Sequence, residues 1–220
     1  MNSNWDWDYA VDIFPDILRA FVEYTLTITI LSSVIAAVVG LLFAVIRFLH
    51  VPVLSQVITG FLEFVRSTPI PVQLFFLFYV LPDYGILVGA TTVGVWCLGL
   101  HYACYYAEVY RAGIDAVPKG QWEACTALSI PRRYVWQHVV LPQALRNVLP
   151  SLGNYVISMF KETPFLFVIS VPEMVSVAQG IGSRNFRYVE PLTIAGLIFL
   201  AASYPAAVAL RRLEIRLGHA

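Results

Sequence analysis

Four consecutive residues that could contact a polar solute, Lys161-Glu162-Thr163-Pro164, interrupt an apolar stretch of the chain. Two adjacent charges are costly in hydrocarbon unless they are paired or hydrated. Neighbouring residues on a helix point about 100° apart, so we expect one charge to face a hydrated pathway and the other to contact a neighbouring helix or subunit. Glu162 is the better candidate for the pathway. A structural ion pair at a helix interface is the alternative.

Two further features of the apolar stretches could bind a solute. Pro164 has no N–H and therefore leaves the carbonyl oxygen of Phe160, one turn back, without its helical donor. This carbonyl could accept a hydrogen bond from a solute, or the helix could be kinked at this point. His101 lies midway along an earlier stretch, where an ionisable group usually faces a cavity or a neighbouring helix. Two roles are therefore open for His101. It could contact a solute, or it could be a neutral, hydrogen-bonded histidine packed between helices.

Other charges lie where apolar stretches begin or end. The tetrapeptide R-S-T-P at residues 66–69 opens the second stretch, since proline suits the first turn of a helix, and Arg66 is interpreted as an interface anchor. Glu108 and Arg111 are three residues apart, which predicts a structural ion pair on one helix.

The elements that must hold these residues are membrane-spanning helices. Hydrophobic residues make up 59% of the 220 residues and charged residues 13%, against about 25% charged in a soluble domain; mean hydropathy is +0.72. We predict an all-α, polytopic membrane protein with one domain over residues 1–220. A span needs about 20 apolar residues, and five stretches qualify, at residues 24–46, 61–81, 84–107, 151–171 and 191–210.

Charge sets the expected orientation of these spans. Residues 1–23 are acidic and lack the basic start of a signal peptide, and Trp5, Trp7, Tyr9 and Phe14 suit an amphipathic segment at the membrane interface. With the amino terminus outside, ten Lys and Arg residues fall inside and three outside. The positive-inside rule therefore predicts an external amino terminus, with the carboxyl terminus and residues 119–142 in the cytoplasm.

The longest charged interruption is K-G-Q-W-E-A-C-T-A-L-S-I-P-R-R-Y-V-W-Q-H-V-V-L-P, at residues 119–142. Residues 123–128 are predicted as a short helix, which Pro131 ends because it lacks a donor and pushes Ile130 out of helical geometry. A second helix is predicted over residues 134–140, stopped before Pro142. A hairpin of this kind, between two membrane spans, could bind a soluble partner and transmit its movement to the spans. A solvated hairpin without a partner is the alternative.

This stretch resembles the cytoplasmic coupling loop of ABC-importer permeases, whose pattern is E-A-A, three residues, Gly, nine residues, then I-x-L-P. The register is kept throughout, with three different residues at the second Ala, the Gly and the Ile. Ser129 is the substitution that matters physically, because a left-handed helix end favours Gly and a side chain there costs about 1 kcal/mol. The residues at the motif positions are Glu123, Ala124, Cys125, Ser129, Val139, Leu141 and Pro142.

Further strings extend the resemblance over nearly the whole chain. Those at residues 66–69, 101–124, 139–146 and 161–164 resemble the polar amino-acid uptake group of ABC permeases. Within it, H-Y-A-C-Y-Y-A-E-V-Y-R-A-G-I, G-N-Y-V-I-S-M-F-K-E-T-P and Y-V-E-P-L-T look most like the ectoine/hydroxyectoine permease branch.

The resemblance implies a type I ABC importer permease fold and ATP-dependent, binding-protein-dependent import of ectoine, hydroxyectoine or a related polar amino acid. It implies a lipid-embedded pathway of two permease subunits in a bacterial inner membrane, with two ATP-binding subunits below and a periplasmic substrate-binding protein above. Ectoine-type systems use two different permease chains, so a heterodimer is expected. Residues 172–190 could meet the binding protein, although a solvated loop would have the same composition.

The resemblance also implies roles for individual residues. Glu162 would accept the cationic group of the substrate, while His101 or a freed backbone donor would meet its carboxylate. The residues expected to line the substrate pathway are Glu162, Lys161, Thr163 and His101. The residues expected to couple transport to the ATPase are Lys119, Gly120, Glu123, Ala124, Cys125, Ser129, Leu141 and Pro142.

The sequence does not contain the motifs of several other classes of protein. There is no H-E-x-x-H, no G-x-S-x-G and no G-x-x-x-x-G-K-[ST] phosphate loop, so we expect no enzyme activity and an ATPase borrowed from a partner. No cysteine spacing suggests a metal, a cofactor or a disulfide framework, and no basic and aromatic pattern suggests nucleic acid. The alternatives are a general histidine-, glutamine- or arginine-type permease, an ion-coupled carrier that needs no ATP, and a membrane enzyme or scaffold without an ATPase partner.

Overall fold

Residues 5–217 are described by the structure, a computed structural model, and they are helical apart from short turns and short extended stretches. Between the α-helices lie short π-helical and 3₁₀ segments. The α-helices are α1 (Trp7–Ala20), α2 (Thr27–Phe48), α3 (Leu54–Arg66), α4 (Ile70–Phe75), α5 (Ala90–Asp115), α6 (Lys119–Ala127), α7 (Arg132–Val135), α8 (Leu141–Glu162), α9 (Met174–Asn185) and α10 (Val189–Leu217).

The first helical run is longer than the predicted span. α1 continues through a π-helical segment, Phe21–Leu26, into α2, so that the helix runs for 42 residues from Trp7 to Phe48. One face of α1, with Ala10, Ile13 and Ile17, is buried against α9 and α10. The predicted interfacial segment therefore forms the first part of this long helix. Residues 1–4 of the segment lie outside the described range. At 1.5 Å per residue, the run of 42 residues is about 63 Å long, which exceeds the full thickness of a bilayer.

The second predicted span, residues 61–81, is wrong in its boundaries. α3 ends at Arg66, and the helix that starts at Ile70 is bent by 107° from it. Pro69 lacks an N–H and pushes Thr68 out of helical geometry. The Gln73 side chain then satisfies the exposed carbonyls, because its Nε2 donates to the oxygens of Val65 (2.8 Å) and Thr68 (3.1 Å).

α5 lies at the centre of the bundle, where it contacts α2, α3, α4 and α8. Its approach to α2 is very close: a Cβ built on Gly40 would lie 2.6 Å from the Cβ of Tyr106 and 2.8 Å from the carbonyl oxygen of Ala103. The predicted third span, residues 84–107, is shifted, since a 3₁₀ turn (Leu81–Tyr84) and an extended stretch precede α5. Gly85 closes that turn with φ of +81°, which glycine adopts without steric cost.

The helix after the α6–α7 turn does not stop before Pro142, so that prediction is wrong. α7 runs through a π-helical segment, Trp136–Val140, directly into α8. Pro142 lies in the first turn of α8, where the shift in hydrogen-bond register between π and α geometry tolerates its missing N–H. α8 then tightens into a 3₁₀ segment, Thr163–Ile169, and a turn at Ser170 leads to α9.

Length and composition identify fewer spans than the five predicted. In the part of the chain that the structure describes, Trp7–Phe48 and Val189–Leu217 qualify alone, and two bent pairs raise the number to at most four. The second pair, Arg132–Ile169 with Met174–Asn185, is bent by 49°. α5 is long enough to span but carries many tyrosines with His101 and Glu108, residues that a central helix can bury and that lower its hydropathy. The five-span count stays a prediction.

Candidate functional site

The carboxylate of Glu162 lies at the end of α8 against the central helix. Its Oε2 accepts a 2.7 Å hydrogen bond from the hydroxyl of Tyr102 on α5, and its side chain is partly buried. Within residues 5–217 no cation forms an ion pair with it. Glu162 is thus a half-buried carboxylate with acceptor capacity left over, which suits a cationic group of a solute.

Two further tyrosines pack against Tyr102, the hydrogen-bond donor to this carboxylate. Tyr155 lies two helical turns before Glu162 on α8, on the same face, and its ring centroid is 5.3 Å from that of Tyr105 and 6.0 Å from that of Tyr102. We call Tyr102, Tyr105 and Tyr155 the tyrosine face. Sequence reasoning missed it, although the three-residue spacing of Tyr102 and Tyr105 was a visible signal that they share one side of a helix.

Lys161 and Thr163 point away from Glu162, as the 100° rotation per residue predicts. Lys161 is exposed, and no ion pair joins it to Glu162. Thr163 is buried, and its Oγ1 donates to the carbonyl oxygen of Phe160 at 2.8 Å. The acceptor that Pro164 frees is therefore used within the chain.

His101 belongs to a different environment from Glu162. It is buried, and its Nδ1 lies 3.2 Å from Oε1 of Gln73, the same side chain that satisfies the break between α3 and α4. His101 also borders an apolar cavity of about 390 Å³ in the bend of that broken helix, together with Phe64, Val72 and Leu100. The geometry matches a hydrogen-bonded histidine packed between helices.

An ion-pair network gathers three helices around Glu108. The predicted pair with Arg111 is confirmed, with Nη2 of the arginine 3.0 Å from Oε2. Nη1 of Arg47 on α2 lies 2.6 Å from the other oxygen, Oε1, and Nη1 of Arg66 on α3 lies 3.6 Å from it. The guanidinium of Arg66 also stands over the ring of Tyr105, 5.5 Å from its centroid. Arg66 thus adjoins both this network and the tyrosine face.

The second candidate site is the hairpin of α6 and α7. The N–H of Ile130 donates to the carbonyl of Cys125 and that of Ser129 to Thr126, both at 3.0 Å, which is the Schellman pattern of a helix end. Ser129 has φ of +52°. The position where the motif has Gly therefore does adopt the left-handed conformation, with a serine in it.

The two faces of this hairpin differ. Cys125 is buried among Val117, Val140 and Ala144. Trp122 and Trp136 stack edge to face with centroids 5.5 Å apart on the same inner side. The predicted coupling residues on the outer surface are exposed: Lys119, Gly120, Glu123, Ala124 and Ser129, with Leu141 and Pro142 exposed at the start of α8.

Known proteins resemble this chain along nearly its whole length. Residues 13–219 match the family model described as binding-protein-dependent transport system inner membrane component. The probable amino-acid ABC transporter permease protein y4tG of Sinorhizobium fredii is 39% identical over 98% of this chain and 93% of its own length. The L-cystine transport system permease protein TcyB of Bacillus subtilis is 34% identical over 94% of this chain and 91% of its own.

Solved structures agree with these relatives. A chain from the crystal structure of an amino acid ABC transporter with histidines is 32% identical, with a TM-score of 0.89 over 97% of this chain and 99% of that one. A chain of the MetNI methionine ABC transporter, at 18% identity, shares the fold, with a TM-score of 0.73 over 91% of this chain and 95% of that one. The protein belongs to the inner-membrane components of binding-protein-dependent transport systems, as a permease subunit of the amino-acid ABC transporters and not itself an enzyme.

Proposed function

We propose that this chain forms part of the translocation pathway of an ATP-dependent importer for polar amino acids or related zwitterions, and that Glu162 contacts the substrate. The observation that carries the proposal is the carboxylate of Glu162, which is half-buried, accepts a hydrogen bond from Tyr102 of the tyrosine face and has no cation paired with it among residues 5–217. A zwitterionic substrate would supply that cation. A carboxylate at membrane depth is costly without such a function.

Coupling to ATP hydrolysis is assigned to the exposed outer face of the α6–α7 hairpin. Glu123 and Ala124 present this face, and the buried side holds the hairpin on the spans. We propose two ATP-binding subunits against this face, a second permease subunit beside the chain and a substrate-binding protein at the opposite end. We also propose that the amino terminus lies outside a bacterial inner membrane and that the carboxyl terminus lies in the cytoplasm.

The relatives support the amino-acid class more directly than ectoine. Their names refer to L-cystine, glutamine and arginine transport. Import of ectoine or hydroxyectoine remains the narrower proposal, and its support is the short strings at residues 101–114, 153–164 and 188–193. Ectoine and amino acids both carry a cation and a carboxylate, so the same carboxylate at position 162 serves either substrate.

The test of the substrate is uptake in cells that lack only this gene. Loss of radiolabelled ectoine uptake that excess histidine or glutamine does not inhibit in the parent strain supports the narrower proposal. Intact ectoine uptake with a lost amino-acid activity assigns the chain to the general amino-acid group. Transport by proteoliposomes without ATP would instead indicate an ion-coupled carrier.

The test of the site is the Glu162→Gln variant. A charge-assisted hydrogen bond to the substrate is worth about 1.5–3 kcal/mol, so we expect uptake at limiting substrate to fall about tenfold or more. Glu63→Gln is the matched control, because Glu63 is an exposed glutamate on α3. Unchanged uptake and unchanged substrate-stimulated ATPase activity in Glu162→Gln would exclude this role.

A further inference from the structure

We propose that Arg66 binds the carboxylate of the substrate, across the tyrosine face from Glu162. The inference rests on the proposed function, because it assigns the second charge of a zwitterionic substrate to the same site. It also replaces His101, one of the two candidates that the sequence suggested for the carboxylate.

The first step of the argument is that His101 is engaged elsewhere. It is 6% exposed, and its Nδ1 is held by Gln73, whose own amide nitrogen donates to the backbone of the α3–α4 break. A carboxylate that displaced Gln73 from His101 would leave the carbonyl of Thr68 without the amide donor that Gln73 gives it. Such unpaired buried groups are costly.

The second step concerns the charge on Arg66. Glu108 carries one negative charge, and its two oxygens are already satisfied by Arg47 at 2.6 Å and by Arg111 at 3.0 Å. The other carboxylate of the network, Asp115, pairs with Arg111 at 3.0 Å. Nη1 of Arg66 lies 3.6 Å from Oε1 of Glu108, which is too long for a hydrogen bond. The positive charge of Arg66 is therefore in excess of what this network neutralises.

The third step concerns the donors of Arg66. Its side chain is 38% exposed, and among residues 5–217 its guanidinium donates no hydrogen bond. A planar guanidinium with free N–H groups matches a carboxylate in bidentate geometry. Lysine, with a single point charge, would not reproduce that match.

The last step is the position of Arg66 relative to Glu162. The guanidinium stands over the ring of Tyr105, and the Glu162 carboxylate accepts from Tyr102. The two tyrosines are neighbours on α5, with centroids 6.0 Å apart. Opposite charges thus flank adjoining rings on one face of the central helix, which is complementary to a solute with a cation and a carboxylate.

The experiment measures binding by the purified complex of permease and ATP-binding subunits in nanodiscs, without the binding protein. The probes are radiolabelled histidine, glutamine, arginine and ectoine, each paired with its carboxamide, which lacks the carboxylate. We expect Arg66→Gln to weaken binding of the acid about tenfold to a hundredfold and to leave the carboxamide unchanged. The ratio of acid to carboxamide affinity should approach one.

Arg111→Gln is the matched control, since it also removes one arginine from Glu108 but not the cation over Tyr105; it should leave the ratio as in the wild type. An Arg66→Gln complex that loses acid and carboxamide affinity equally, or neither, overturns the inference, as does a wild-type complex that binds no probe. If the Arg66→Gln complex does not assemble, the Arg66→Lys complex is measured instead. A ratio of acid to carboxamide affinity that equals the wild-type ratio in that complex overturns the inference.

The failure of the proposed function gives a different result. Glu162→Gln should weaken acid and carboxamide by the same factor, because both keep the cation. If Glu162→Gln binds both probes normally while Arg66→Gln loses only the acid, the role of Glu162 fails and that of Arg66 stands.

Discussion

The rings of Phe48 and Trp136 lie edge to face with centroids 5.1 Å apart, which joins the last turn of α2 to the π-helical segment after α7. Trp136 also stacks on Trp122 of α6. One side chain therefore connects the α6–α7 hairpin, where we place the ATPase contact, to a long helix of the bundle.

We expect Trp136→Ala to uncouple transport from ATP hydrolysis. The substitution removes two aromatic pairs, each worth about 0.5–1.5 kcal/mol, so that motion of α6 is no longer passed to α2. Uptake by proteoliposomes should fall several-fold while ATPase activity persists. Trp136→Phe should keep most of the coupling, and Trp96→Ala, which removes a half-exposed ring on α5, should have little effect. Equal loss of both activities in Trp136→Ala would point to a folding defect.

Ser129→Gly should raise the stability of the complex. Ser129 holds φ of +52°, and a left-handed residue with a Cβ costs about 1–2 kcal/mol, which glycine removes. Thermal unfolding should show a higher Tm, with transport retained. Ser151→Gly is the control at an exposed position inside α8. It should lower the Tm, because glycine in a helix interior costs about 0.5–1 kcal/mol. A lower Tm in Ser129→Gly would mean that the serine hydroxyl holds the turn.

Gly40→Ala should destabilise the fold. The added Cβ would meet the carbonyl oxygen of Ala103 at 2.8 Å, and backbone atoms of a packed helix cannot move aside cheaply. Overpacking of this kind costs about 1–3 kcal/mol, which should appear as a lower Tm of the complex. Gly196→Ala is the matched control in α10, where the new methyl group would meet nothing within 4 Å. Equal Tm values for the two variants would contradict the close α2–α5 packing.

Asp6 should contribute stability that depends on pH. The backbone N–H of Tyr9 and the guanidinium of Arg187 hold the pKa of Asp6 below its ordinary value of 3.8. A lowered pKa means that the stabilisation is present above the ordinary value and is lost as the pH falls through the folded value.

The measurement is the difference in Tm between wild type and Asp6→Asn from pH 6 down to pH 3. We expect a constant difference above about pH 5 that shrinks below pH 4. Asp8→Asn is the control, since Asp8 is exposed on the same helix and forms no ion pair with Arg187 among residues 5–217. A difference that grows on acidification would contradict the assignment.

The sequence by itself determined the features that depend on neighbouring residues. Long apolar stretches predicted a helical membrane protein, and the stretch from Glu123 to Pro142 predicted a helix-turn-helix hairpin with its break just before Pro131, where the structure has the turn between α6 and α7. Proline at residue 69 also indicated where a helix begins. Each of these signals lies within a few residues of its effect, because capping, turn geometry and helix breaking are local.

Only the tertiary structure decided the relationships between distant residues. Hydropathy cannot distinguish a straight helix from the 107° bend between α3 and α4, since both sides of the bend are apolar. Hydropathy also fails to identify α5 as a candidate span. Its tyrosines lower the mean hydropathy of the helix, although they lie at the contacts between helices in the bundle. Tyr102 meets Glu162 across 60 residues of chain, and Arg66 meets Tyr105 from another helix. These pairs follow from how α3, α5 and α8 pack together, which no local pattern specifies.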